Sequence, residues 1–143
     1  MDSRAIKVIV ADDHREMLKV VSAYLNPHFQ VLACVPDGES LIRFAIELKP
    51  DVIISDLDLP GYDGLEVMLD LKNRRVEIPI VLMGNWTNDV LDFLELGAAA
   101  YVHKYDIHAD IVEAVLTAAG GGKFISRSIL PDDSGRGPRR ASA

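Results

Sequence analysis

Cysteine is almost missing from this chain: Cys34 is the single thiol in 143 residues, which excludes an intramolecular disulfide framework. It lies inside an apolar run, where a buried, unreactive thiol is expected. Positive charge is also short, with 15 Lys and Arg against 22 Asp and Glu and a net charge of −7. A domain this acidic is not expected to bind nucleic acid directly. No apolar run approaches the roughly 18 residues that a membrane span needs. The apolar stretch after Arg4 and Lys7 is stopped by Asp12 and Asp13, too soon for a signal peptide. A soluble, cytoplasmic protein is expected. No glycine fingerprint follows the first apolar run, so dinucleotide-binding and P-loop chemistry are excluded. His103 and His108 have no ligand spacing with another histidine and are read as structural.

What the chain does have is alternation. Hydrophobic residues make up 49% and charged residues 26%, the balance of one globular domain with one core. Ile6–Ala11 reads as a strand, followed by Met17, Val20, Val21, Tyr24 and Leu25 at helical spacing and a stop at Asn26-Pro27. Gln30–Val35 is a second strand, Leu41 to Leu48 a second helix that stops at Pro50, and Asp51–Ser55 a third strand ending at Asp56. A loop at Pro60–Gly64 precedes a helix from Leu65. Ile80–Met83 is a fourth strand, with a helix around Val90–Leu96. Ala99–His103 is a fifth strand, and Ile107–Ala119 a fifth helix. Five strand-then-helix repeats predict an α/β fold with a doubly wound, five-stranded parallel sheet. The domain is expected to span residues 1–125. Residues 126–143 turn polar from Pro131 onward and are expected to be a disordered tail or the start of a linker.

In such sheets, ligands bind beyond the carboxyl ends of the strands. Asp12 and Asp13 follow the first strand, Asp56 the third and Lys104 the fifth. Taken singly, these residues have plain explanations: a helix cap for Asp12 or Asp13, a turn residue for Asp56, a solvated surface lysine for Lys104. Taken together, they converge on one sheet edge. Three close carboxylates repel one another unless a cation is present. An oxygen-rich pocket with open positions suits Mg²⁺. A metal-bound carboxylate can accept a phosphoryl group, with the metal and an ammonium neutralising the transferring charge.

Three segments carry a resemblance: Val8-Ile9-Val10-Ala11-Asp12-Asp13-His14, Asp51 through Asp56-Leu57-Asp58-Leu59-Pro60-Gly61-Tyr62-Asp63-Gly64, and Gly97 through Tyr101-Val102-His103-Lys104. Over roughly residues 5–125 the chain resembles the receiver domains of two-component response regulators. That resemblance implies the flavodoxin-like strand order 2-1-3-4-5, and a phosphoryl group passed to Asp56 from a sensor histidine kinase or phosphotransfer protein. It implies Mg²⁺ on Asp13 and Asp56, with Asp12 acting through water and the backbone carbonyl of Asp58 completing the site. Lys104 would pair with the phosphoryl group, and Tyr101 would be the switch aromatic. His14, the lack of a proline after Lys104, and Gly120-Gly121-Gly122-Lys123-Phe124-Ile125-Ser126 look like the NarL/LuxR type, whose members carry a C-terminal helix-turn-helix. No such pattern is read in these residues, which leaves a stand-alone receiver or the receiver part of a longer regulator. A homodimer would use helix faces: the surface of helix 4, strand 5 and helix 5 first, although Asp89, Asp92 and Glu95 make it acidic, and helices 1 and 5 second.

The sequence departs from that family at the end of the fourth strand. Receivers usually carry Thr or Ser five residues after the proline; counting from Pro79, that place is Gly84. The hydroxyl that would bond the phosphoryl oxygen and couple it to Tyr101 is missing. The backbone N–H of Gly84 or the side chain of Asn85 could substitute, or Gly84 simply permits a tight turn. Trp86 is open to three readings: a shield against attacking water, a partner anchor or loop packing. Two other functional classes are considered. Asp56-Leu57-Asp58 looks like the aspartate pair of haloacid-dehalogenase-type phosphohydrolases, but that pair belongs after the first strand, and Pro60 stands where Thr or Val is wanted. A phosphate-independent pseudo-receiver, acting as a protein-interaction module, draws support from Gly84 and is opposed by the intact acidic set with Lys104.

Overall fold

In the computed structural model, residues 5–85, 88 and 90–126 are described. Strands β1 (Lys7–Ala11), β2 (Gln30–Val35), β3 (Val52–Asp56), β4 (Ile80–Gly84) and β5 (Ala100–His103) alternate with helices α1 (Arg15–Leu25), α2 (Gly38–Leu48), α3 (Gly64–Asn73), α4 (Val90–Glu95) and α5 (Ile107–Ala119). All strand pairs are parallel, in the order β2-β1-β3-β4-β5. That core order is the expected one. The sheet does not end there, however. A two-residue strand β6 (Phe124–Ile125) pairs with the outer edge of β5, making six strands instead of five. A run of two residues carries no period-2 signal, so β6 was invisible to periodicity.

Alternate side chains along each strand go to opposite faces, and two cores result. Val8, Val10, Val52, Ile54, Val81, Met83, Ala100 and Val102 pack with α1 and α5 residues such as Val21, Leu25, Ile111 and Val115. Ile9, Ala11, Ile53, Ile80, Leu82 and Tyr101 pack with Leu41, Ala45, Val67 and Leu71 from α2 and α3 and with Val90 of α4. Coverage on both faces is why the central strands are continuous apolar runs. The edge strand β2 is less covered, which corrects the expectation for Cys34: its side chain is exposed, with Sγ 3.1 Å from the Ser22 hydroxyl on α1. An apolar run predicts burial only where both faces and both edges are occupied.

The loop after β3 is fixed with unusual density. Gly61 takes φ +72°, a left-handed turn that favours glycine. Asp63 caps α3 by accepting from the Glu66 amide at 2.8 Å, while the Glu66 carboxylate accepts from the Asp63 amide at 3.3 Å, a reciprocal capping box. The first residue of α2 closes on this loop from the other side: a Cβ at Gly38 would sit 2.1 Å from the Tyr62 carbonyl oxygen and 2.9 Å from Val67 Cγ2. Backbone cannot give way as a flexible side chain can. Gly38→Ala is therefore expected to cost about 1–3 kcal/mol, the usual range for overpacking, as a lower urea midpoint with unchanged slope. A midpoint equal to wild type would show that the α2–loop contact is loose.

Candidate functional site

The carboxyl ends of β1, β3 and β5 deliver Asp12, Asp13, Asp56 and Lys104 to one place, as the sheet order requires. Asp56 is the last residue of β3 and is 1% exposed. Its Oδ1 accepts from the Asp58 amide at 3.0 Å, and its Oδ2 accepts from Lys104 Nζ at 2.9 Å. Lys104 Nζ also lies 3.6 Å from Asp12 Oδ2. The lysine is thus neither solvated nor idle; it bridges two strand ends. Asp58 itself is exposed, and its backbone amide is held against Asp56 by that bond.

Asp12 is fully buried. Its Oδ1 accepts from the His14 amide at 2.9 Å, an Asx-type turn that leads into α1, whose N-cap residue is His14 rather than either aspartate. Its Oδ2 has no hydrogen-bond partner among the described residues. A buried carboxylate oxygen without a hydrogen bond is costly, and the Lys104 ammonium at 3.6 Å offsets part of that cost by charge. Ligand atoms of Asp12, Asp13, His14 and Asp56 all lie within 4.8 Å of one another. The donor set is mostly carboxylate oxygen, which fits a hard divalent cation. His14 is the residue the sequence reading passed over as a ligand-distance neighbour. Its Nδ1 stands 3.0 Å from Asp13 Oδ1 and 3.2 Å from Asp12 Oδ1, a position implied only by its place directly after the acidic pair.

Electrostatics follow the geometry. Burial raises the Asp12 carboxyl above its ordinary 3.8, and the charge of Asp56 adds to it, against the lowering by the His14 amide and by Lys104. Burial pulls the Lys104 ammonium down, but the hydrogen bond and charge of Asp56, with the charge of Asp12, outweigh it, so the group stays charged and is held above 10.5.

The switch positions are separately placed. Gly84 is buried at the end of β4 and paired with His103, while Asn85 is exposed. Tyr101 is fully buried, its ring 5.9 Å from that of Phe93 on α4. His103 is buried, and its Nδ1 accepts from the Tyr105 amide at 3.2 Å; His108 is exposed. Trp86, Thr87 and Asp89 lie outside the described residues, as does the polar stretch 127–143. A groove of about 720 Å³ lined by Asp37, Glu39, Pro60, Tyr62, Asp70 and Arg74 contains none of the converging residues. Among the described residues, no helix is long and apolar enough to cross a membrane.

This fold and this edge cluster define a class, and the comparisons agree with it. The response regulator receiver domain model matches residues 8–116, and the chain belongs to that family. It is 31% identical over 135 residues to the transcriptional regulatory protein LiaR of Bacillus subtilis, covering 85% of this chain but 64% of that protein; the chain therefore spans less than two thirds of that relative. NarL of Escherichia coli is also among its relatives, at 30% identity over 87% of this chain and 59% of that protein. Among solved structures, the signal receiver domain of the putative response regulator NarL from Mycobacterium tuberculosis superposes with a TM-score of 0.77 at 27% identity, over 82% of this chain and 98% of that one. The sequence resemblance to NarL/LuxR-type receivers holds.

Because Asp12 is raised, folding favours its protonated form. Its ionisation then costs stability at neutral pH, and that cost disappears as the pH falls through the raised value toward 3.8. Asp12→Asn is expected to raise the melting temperature of the metal-free protein by a few degrees at pH 7, with the gain vanishing near pH 4. Thermal melts across that range check it; a gain that persists at pH 4 would point to packing instead of charge.

Proposed function

We propose that this receiver accepts a phosphoryl group on Asp56 in a Mg²⁺-dependent reaction, taking it from a phosphohistidine of a sensor kinase or phosphotransfer protein. The observation that carries the reading is the Asp56 carboxylate at a strand end, bonded through one oxygen to Lys104 at 2.9 Å and flanked by the buried Asp12. A carboxylate oxygen of Asp56 forms a bond to phosphorus as the phosphorus–nitrogen bond to the donor imidazole breaks, and the imidazole leaves with the bonding pair. Asp12, Asp13, Asp56 and the backbone carbonyl of Asp58 would hold Mg²⁺, which supplies charge neutralisation when bound. The Asp58 amide restrains Asp56, and Lys104 transfers its contact from the carboxylate to a phosphoryl oxygen.

Gly84 and Tyr101 would set the response. The absent hydroxyl removes a hydrogen bond to an anionic oxygen worth roughly 1.5–3 kcal/mol, similar to a typical coupling of about 1–3 kcal/mol between sites. Phosphorylation would then proceed with a weakened conformational change. The phosphate-independent alternative rests on Gly84 alone, and the Lys104–Asp56 pair speaks against it. A homodimer would use helix faces and leave the acidic pocket free. Any DNA-linked output belongs to a longer protein of the kind the curated relatives represent.

Intact-protein mass spectrometry after incubation with a small phosphodonor tests the reaction. One phosphoryl mass is expected in Mg²⁺ and none in chelator or in Asp56→Asn. Labelling of Asp56→Asn would refute the assignment. Gly84→Thr is expected to enlarge the amide NMR shifts at Tyr101 and in α4 on adding beryllofluoride. A wild type that already switches fully, with no gain from Gly84→Thr, would show that the backbone N–H or Asn85 replaces the hydroxyl.

A further inference from the structure

Residues 123–126 are fastened to β5 more firmly than a two-residue strand requires. Lys123 Nζ donates to the Ala98 carbonyl at 2.8 Å. The Phe124 amide donates to Ala99 O at 3.1 Å, and the Ser126 amide to Tyr101 O at 3.0 Å. The next rung of a parallel ladder would carry the His103 amide to the Ser126 carbonyl. Instead the His103 amide donates to the Ser126 hydroxyl at 3.0 Å, and Ser126 is fully buried. A side chain thus closes the ladder at the residue directly before Lys104.

That closing bond has a consequence for the lysine. His103 is held on its other side as well: its Nδ1 accepts from the Tyr105 amide, and its ring stacks on Tyr105 at 5.2 Å. Lys104 is therefore bracketed by two residues, 103 and 105, that are joined to each other; β4 holds this bracket from one side through the Gly84–His103 pairing, and the Ser126 hydroxyl holds it from the other. The strand so held also carries the buried Tyr101, whose carbonyl takes the Ser126 amide.

We propose that Ser126 is a positioning residue: its hydroxyl fixes the end of β5, and with it the reach of Lys104 to Asp56. Attachment of residues 123–126 and occupancy of the phosphoacceptor site are then thermodynamically linked. This rests on the reading of Asp56 and Lys104 above. A phosphoryl group on Asp56 requires Lys104 to exchange a carboxylate oxygen for a more distant phosphoryl oxygen, which displaces the strand end that Ser126 holds. By reciprocity, loosening that hold changes how well the site takes the phosphoryl group.

The test uses the 143-residue chain as wild type, Ser126→Ala, Ser126→Thr, Lys104→Ala and the Ser126→Ala/Lys104→Ala double variant. Asp56 phosphorylation by acetyl phosphate in Mg²⁺ is followed by mass, and exchange of the His103 amide by NMR. Ser126→Ala is expected to slow phosphorylation and speed His103 exchange, each about three- to tenfold, the scale of one lost hydrogen bond. Ser126→Thr, which keeps the hydroxyl, should retain the wild-type rate. The loss should vanish in the Lys104→Ala background if Ser126 acts through the lysine. In wild type, beryllofluoride with Mg²⁺ should alter His103 and Ser126 exchange, a measurement that holds even if Ser126→Ala does not fold. If wild type takes no phosphate on Asp56, the reading of the site fails and this proposal with it. If wild type is phosphorylated but Ser126→Ala matches it, or the loss persists without Lys104, or beryllofluoride leaves both amides unchanged, Ser126 has no positioning role.

Discussion

An ammonium held 2.9 Å from one buried carboxylate and 3.6 Å from another is the contact on which the acidic edge depends. Asp12 and Asp56 are both almost without solvent, and two ionised carboxylates in that setting repel each other at a low effective dielectric. Lys104 offsets the repulsion, and its charge is in turn maintained by them. Removing the lysine would leave two buried carboxylates uncompensated, which is far more destabilising than the pairing is stabilising, whereas removing Asp12 leaves the Lys104–Asp56 pair intact. The edge is thus finely balanced: Asp12 Oδ2 makes no hydrogen bond among the described residues and lies 3.6 Å from the Lys104 ammonium.

Everything else in the fold serves that convergence. The parallel order places β1, β3 and β5 within reach of one another, with β4 between the last two. The two apolar faces hold the strands in register, so the three strand ends emerge at one edge of the sheet. The β3–α3 loop, pinned by the Gly38 contact, the Gly61 turn and the Asp63–Glu66 capping box, holds the Asp58 backbone beside Asp56. On the far side, β6 and Ser126 close the edge of β5 and hold the strand that carries Tyr101 and leads into Lys104.

Much of this was legible before any coordinates. The β-branched runs at Val8–Val10 and Val52–Ile54 announce buried parallel strands, and the helical spacing from Met17 to Leu25 announces a covering helix. From the alternation alone, Asp12, Asp13, Asp56 and Lys104 must share an edge. Periodicity failed where a residue's environment is set by distant chain. Cys34 lies in an apolar run, yet β2 is an edge strand and leaves it open to solvent. Phe124 and Ile125 form too short a run to register as a strand, and their partner strand lies over twenty residues back. Ser126 looks like the start of a polar segment, and its burial goes with two bonds to β5, its amide donating to Tyr101 O and its hydroxyl accepting from the His103 amide. The place of His14 directly after the acidic pair hints that it lies near them, but its ring close to both aspartates also depends on the Asp12 turn that accepts the His14 amide.

The most direct test of the cation-balanced edge is calorimetry on wild type and Lys104→Gln, each in chelator and in millimolar Mg²⁺. The account predicts that Lys104→Gln melts well below wild type in chelator, and that Mg²⁺, binding the folded state preferentially, raises both proteins and closes most of the gap. An equal gap in both conditions, or no shift of either protein by Mg²⁺, would contradict it.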